Sequence, residues 1–125
     1  AQAPLDLRVL VVEDNPINRQ ILKEHLETLG CHVITTRDGH EALGYCATEA
    51  LDVVLTDINM PGLDGHGLIQ ELRQRGFTQP VIGASANATP DERERCLAAG
   101  MNGYLVKPID IGTLRHTLGA LVPGP

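Results

Sequence analysis

Two acidic positions close the two strongest apolar runs of the chain. Glu13-Asp14 follow Val9-Leu10-Val11-Val12, and Asp57 follows Leu51-Asp52-Val53-Val54-Leu55-Thr56 at the entrance to the turn-rich stretch Met60-Pro61-Gly62-Leu63-Asp64-Gly65. Short β-branched runs bounded by turn residues read as buried parallel strands. In an open parallel sheet, residues just beyond the carboxyl ends of the strands converge on one crevice, which predicts a pocket shared by Glu13, Asp14 and Asp57. Two like charges about 4 Å apart repel by roughly 4 kcal/mol at an effective dielectric near 20. A divalent cation relieves that load. Clustered hard oxygens suit Mg²⁺, with Mn²⁺ as the alternative ion, and leave room for phosphate oxygens as further ligands.

Two more polar groups end apolar runs. Ser85 directly follows Val81-Ile82-Gly83-Ala84, and Lys107 directly follows Tyr104-Leu105-Val106. A hydroxyl and an ammonium aimed at a carboxylate pocket make a clamp for a phosphoryl group, since the ammonium neutralises its oxygens and the hydroxyl donates a hydrogen bond.

These side chains meet only if strands and helices alternate, and the patterning predicts that they do. Strands are expected over Val9–Val12, His32–Thr36 (weaker and peripheral), Leu51–Thr56, Pro80–Ala84 and Tyr104–Val106. Helices are expected over Asn15–Leu29, Gly39–Thr48, Gly65–Arg75, Pro90–Ala99 and Asp110–Leu121. In the first helix Ile17, Ile21, Leu22, Leu26 and Leu29 fall on one face. Gly30, Gly76 and Gly100 stand where helices stop, and Thr89-Pro90 read as N-cap and first turn. Five strands alternating with five helices imply an α/β, doubly wound parallel sheet.

At 125 residues the chain is one domain, large enough to bury about two thirds of its unfolded surface. With one Phe, two Tyr and no Trp the core must be aliphatic, and a net charge of −6 argues against direct nucleic-acid binding. Cys31, Cys46 and Cys96 show no metal-ligand or redox spacing and read as idle thiols of a reducing compartment. Without a signal peptide or a span of about 20 apolar residues, the segment is expected to be soluble, cytoplasmic and free of membrane contact. Residues 1–6 and 122–125 read as linker and tail around a domain over 7–121. His25, His32, His40, His66 and His116 are scattered and none is an expected phosphodonor. Asp91-Glu92-Arg93-Glu94-Arg95 reads as a solvated face with i,i+3 pairing, and Gly83 as a site of close packing.

Glu13-Asp14, Asp57, Met60-Pro61-x-x-Asp64-Gly65, Ser85-Ala86 and Tyr104-x-x-Lys107-Pro108 together resemble the receiver (response-regulator) domain of two-component phosphorelays, over roughly Leu7 to Leu121. The resemblance implies a flavodoxin-like sheet of strand order 2-1-3-4-5. It implies Asp57 as phosphoacceptor, Asp14 as a direct Mg²⁺ ligand, Glu13 as a ligand acting mainly through water and Asn59 as a backbone-carbonyl ligand. Ser85 would bind the phosphoryl oxygen, and Lys107 would bridge it to Asp57. Ser85 and Tyr104 would form the switch pair, Pro61 and Gly65 would shape the loop, and Pro108 would follow a cis bond, accessible to an X-Pro peptide. The implied chemistry is attack by Asp57 on a phosphohistidine, so that the module catalyses its own phosphorylation and dephosphorylation.

Asp14-Asn15-Pro16-Ile17-Asn18-Arg19, Ala84-Ser85-Ala86-Asn87-Ala88 and Cys96-Leu97-Ala98-Ala99-Gly100-Met101-Asn102 are similar to receivers fused to hybrid sensor histidine kinases. The implied partners are a histidine kinase domain and a histidine phosphotransfer domain, docking around helix 1 at Ile17 and Ile21. The module itself is expected as a monomer or weak dimer, on the cytoplasmic side of the inner membrane if its parent is membrane-bound. A stand-alone single-domain response regulator and a phosphate-insensitive pseudo-receiver are the alternatives. A haloacid-dehalogenase-type hydrolase would need Asp-x-Asp after the first strand, where Glu13-Asp14-Asn15 stands, and a dinucleotide-binding module would need G-x-G-x-x-G there.

Overall fold

A computed structural model describes residues 4–60, 62–86 and 89–121. Five strands, β1 (Arg8–Val12), β2 (His32–Thr36), β3 (Val53–Asp57), β4 (Val81–Ser85) and β5 (Gly103–Val106), form one parallel sheet in the order β2-β1-β3-β4-β5. Between and after them run α1 (Pro16–Thr28), α2 (Gly39–Thr48), α3 (Gly65–Gln74), α4 (Pro90–Ala98) and α5 (Ile111–Leu121). This is the doubly wound, flavodoxin-like architecture. Pro61, Asn87, Ala88, residues 1–3 and the tail 122–125 lie outside the described residues.

Alternation along the strands divides the core in two. Val9 and Val11 face Leu22 and Leu26 of α1 and Leu114 and Leu118 of α5. Leu10 and Val12 face Ala42 and Leu43 of α2, Leu68, Ile69 and Leu72 of α3 and Cys96 of α4. A sheet covered on both faces needs apolar residues on both, which is why its strands read as continuous runs. Gly83 lets this packing close, since a Cβ there would stand 2.7 Å from the Met101 sulfur.

Element ends shift by one or two residues from the sequence expectation, for local reasons. Asn15 caps α1 instead of joining it, its Oδ1 accepting from the N–H groups of Ile17 (2.9 Å) and Asn18 (3.1 Å). Asp110 likewise caps α5, accepting from the Thr113 N–H at 2.9 Å. Asp52 precedes β3 and ties it to β1, donating to the Arg8 carbonyl and accepting from the Arg8 N–H, both at 2.8 Å. β4 begins after Pro80, which has no N–H to give the ladder. Ile17 and Ile21 share the α1 stripe with Leu22, Leu26 and Leu29 but stand outside the core, 70% and 43% exposed, in keeping with their expected place at the exposed edge of the helix. Both lie in the first turns of α1, just past the carboxyl end of β1.

At the opposite edge the chain enters along the α1–β2 corner. Leu5 and Asp6 donate to the Leu29 and Gly30 carbonyls at 2.9 and 3.0 Å, and Asp6 pairs with His32 at 2.9 Å. Asp6 adopts φ +54° and Gly30 φ +88°, conformations open to Asp and Gly. Among the described residues no helix is long and apolar enough to cross a membrane.

Candidate functional site

The chain leaves β1 toward β2 on one side and returns as β3 on the other, so a crevice opens above the carboxyl ends of β1 and β3. Asp57, the last residue of β3, is buried at its wall. Glu13 follows β1 and is fully buried, whereas Asp14 is exposed at the rim. One carboxylate oxygen from each of the three lies within 4.8 Å of the others.

Lys107, one residue past β5, reaches across to this cluster. Its Nζ donates to Glu13 Oε1 at 2.6 Å and stands 3.3 Å from Asp57 Oδ2. Burial pulls the ammonium pKa down. The hydrogen bond to Glu13 and the charges of Asp57 and Glu13 outweigh that and hold it above the ordinary lysine range. The Lys107–Pro108 peptide is cis. The Lys107 N–H donates to the Ser85 carbonyl at 2.8 Å, keeping β4 and β5 in step at the crevice.

Ser85 is fully buried at the end of β4. Its hydroxyl is hydrogen-bonded to Tyr104, which is half-buried on β5. Asn59 is exposed two residues beyond Asp57, with its N–H 3.4 Å from Asp57 Oδ1. Gly65 opens α3 where a Cβ would meet the Ile58 Cα at 2.7 Å and the Asp57 carbonyl at 2.8 Å. Only glycine lets α3 start this close to the acid strand. Asp64 caps that helix through the Gly67 N–H at 2.9 Å.

The donor set fits a hard divalent cation, because the cluster offers carboxylate oxygens and neither thiol nor imidazole. Glu13 has both oxygens occupied, Oε1 by Lys107 and Oε2 by the Asn15 N–H at 3.1 Å. The more open oxygens belong to Asp14 and Asp57.

Three participants went unread in the sequence. Arg19 Nη1 donates to the Glu13 carbonyl at 3.0 Å, stapling the acid loop to α1. Arg73 at the end of α3 donates to the carbonyls of Phe77, Gln79 and Gly100 and to Asn102 Oδ1, at 2.6 to 3.1 Å. Arg19 stands in the run Asp14 to Arg19 without a role that the run itself reveals, Arg73 sits in no pattern, and their acceptors are backbone carbonyls or lie far along the chain. The third is Glu92, assigned above to a solvated charge run. Asp91, Arg93, Glu94 and Arg95 are exposed, but Glu92 turns inward, with Oε1 sealed from solvent and unpaired among the described residues. No ion pair forms within the run among the described residues.

Beside the acids, a groove of about 150 Å³ runs between α1 and the loop after β5, lined by Asn18, Ile21, His25, Pro108 and Ile109 and ending at Glu13 and Lys107. Exposed Ile17 stands one turn before Ile21 on the same helix.

Comparison with known proteins gives one answer. Residues 9–119 match the family described as the response regulator receiver domain. The sensor histidine kinase RcsC of Salmonella typhimurium is 46% identical over 113 residues, 90% of this chain and 12% of that protein. The chain thus spans about an eighth of that relative's length. Among solved structures, the receiver domain of sensor histidine kinase PA1611 from Pseudomonas aeruginosa, with a magnesium ion coordinated in its active site cleft, is 36% identical. It superposes with a TM-score of 0.86 over 94% of this chain and 98% of its own. The chemotaxis protein CheY4 of Vibrio cholerae is 30% identical, with a TM-score of 0.87 over 93% and 98% of the two chains.

Proposed function

The chain belongs to the response regulator receiver domain family, and from that premise we propose that Asp57 is its phosphoacceptor, served by Lys107 and Ser85. The observation that carries the assignment is Lys107 Nζ lying between Asp57 and Glu13 at the mouth of a three-carboxylate cluster. An Asp57 carboxylate oxygen forms the new O–P bond as the P–N bond of a phosphohistidine breaks. The electron pair returns to the imidazole nitrogen, and a carboxylate nucleophile needs no base to activate it. Lys107 neutralises charge on the transferring oxygens, and Ser85 donates a hydrogen bond to one of them. Asp14 and Asp57 would hold Mg²⁺ directly, Glu13 through water as its occupied oxygens favour, and Asn59 through its carbonyl. The bound ion supplies further neutralisation of the phosphoryl oxygens.

Hybrid sensor kinases such as RcsC are the setting that the sequence likeness favours. The partners proposed are a histidine kinase domain and a histidine phosphotransfer domain, on the cytoplasmic side of a membrane. The groove along α1, with Ile17 and Ile21 beside it, offers an apolar seat next to the acids for the helix that carries the phosphohistidine. The test is exposure to acetyl phosphate and Mg²⁺, followed by intact-mass measurement. One phosphoryl group is expected on the wild-type chain and none on Asp57→Asn, and modification that survives in the variant would move the acceptor elsewhere.

A further inference from the structure

Of the three clustered acids, Asp14 is the one whose carboxylate has no partner among the described residues. Glu13 is held by Lys107 and by the Asn15 N–H, and Asp57 stands beside Lys107. Asp14 is exposed at the rim, and no donor reaches its oxygens among the described residues. A carboxylate without partners points where the backbone beneath it sends it.

That backbone is held one residue earlier. The Glu13 N–H donates to the Thr36 carbonyl at 3.1 Å, which keeps Glu13 in line with β1 and β2. The peptide between Glu13 and Asp14 can still rotate about the Cα–C bond of Glu13. A peptide unit is planar, so the direction of the Glu13 carbonyl fixes where the Asp14 Cα lies. Arg19 Nη1 donates to that carbonyl at 3.0 Å. The Arg19 N–H donates to the Asn15 carbonyl at 2.9 Å, and Asn15 caps the helix, so the arginine stands on a fastened first turn of α1.

We infer that Arg19 aims Asp14: by pinning the peptide plane between Glu13 and Asp14, it keeps the Asp14 carboxylate within 4.8 Å of the other two acids. The inference rests on Asp14 being a ligand of the divalent cation. It makes Arg19 a positioning residue, which acts on the ion through one carbonyl.

Charge alone predicts the opposite effect. A guanidinium near a cation site repels the ion, so on electrostatic grounds its removal would tighten binding. Loss of the group that orients a metal ligand loosens binding, by about tenfold or more. The sign of the change separates the two roles.

The experiment uses the whole chain with Mn²⁺ as the probe, the paramagnetic signal of the free ion falling as it binds. Wild type binds Mn²⁺, and Arg19→Met, which keeps most of the side chain's length without charge or donor, binds it about tenfold more weakly. Arg19→Ala stands in if the methionine variant does not fold. In nitrogen–proton spectra taken without the ion, the Asp14 amide nitrogen belongs to the freed peptide unit and shifts in the variant, while the amides of Val9 to Val12 stay in place. A general loosening of the domain would move both groups. Unchanged or tighter Mn²⁺ binding in the Arg19 variants overturns the proposal, as does an Asp14 amide that stays in place or a shift that spreads along β1. Absence of Mn²⁺ binding in the wild type instead removes the reading of Asp14 as a ligand, and this inference with it.

Discussion

Among single side chains, Lys107 carries the most electrostatic work, and its pKa fixes the sign of a pH effect. Its folded pKa stands above the ordinary value of 10.5. The stability it contributes is therefore fully present below that value and is lost as pH rises through the folded pKa. Urea unfolding should show Lys107→Met less stable than wild type at pH 8, with the gap closing as pH rises past 10.5 and through the folded pKa. A gap that stays constant would mean that the amine's charge is not what holds Glu13. At the same position, Lys107→Ala should lose more of the beryllofluoride-induced change than of the Mg²⁺ affinity, and equal losses would argue against a clamp. Cys46 makes a second expectation, because burial pushes its thiol up to about 11. It should alkylate at pH 8 several times more slowly than a free thiol, and labelling at the free rate would contradict that burial. Asp14, Asp57, Ser85 and Lys107 were legible in the sequence because each ends an apolar run and so must sit at a strand end. The pairing of Lys107 with Glu13 was not, since 94 residues separate the two and only the closed fold makes them neighbours.

The elements hold the site through contacts that periodicity does not encode. Arg73 joins the end of α3 to the loop before β5, and Asn102 Oδ1, one of its acceptors, also takes the Val81 N–H at 3.0 Å. A lysine cannot span those acceptors with a planar fork, so Arg73→Lys should cost about 1–3 kcal/mol in urea unfolding. Full stability in that variant would show that the carbonyls find water at no loss. Gly65→Ala should be destabilising by a similar amount, about 1–3 kcal/mol, and should weaken Mg²⁺ binding in a calorimetric titration. The added methyl must displace either Ile58 or the Asp57 carbonyl. Type and order of all ten elements could be read from patterning, because a doubly covered sheet leaves unbroken apolar runs and its helices carry explicit stops. Their ends could not, since Asn15, Asp52 and Asp110 act as caps or ties whose geometry depends on a partner. Ile17 and Ile21 fit the helical stripe yet stay exposed, because periodicity tells which face a residue takes and not how far that face is covered.

The molecule as a whole trades stability for a charged mouth. With no cation bound, Glu13, Asp14 and Asp57 repel one another across less than 5 Å, and Lys107 offsets only part of this. Mg²⁺ at millimolar concentration should therefore raise Tm, by mass action on the folded state. Asp14→Asn should melt higher than wild type in the absence of the ion and lose most of the ion-dependent rise. A variant that melts lower without the ion would show that Asp14 is held by attraction and not by strain.

Leu5 and Asp6 are fastened at the α1–β2 corner, beneath the start of β1, whereas the acids stand past its other end, about 16 Å away along five residues of strand. Anything fused ahead of Leu5 is thus tied on at the floor of the domain, at the end of β1 away from the acids. A pull applied ahead of Leu5 would load the corner at Gly30 before it reached Asp57.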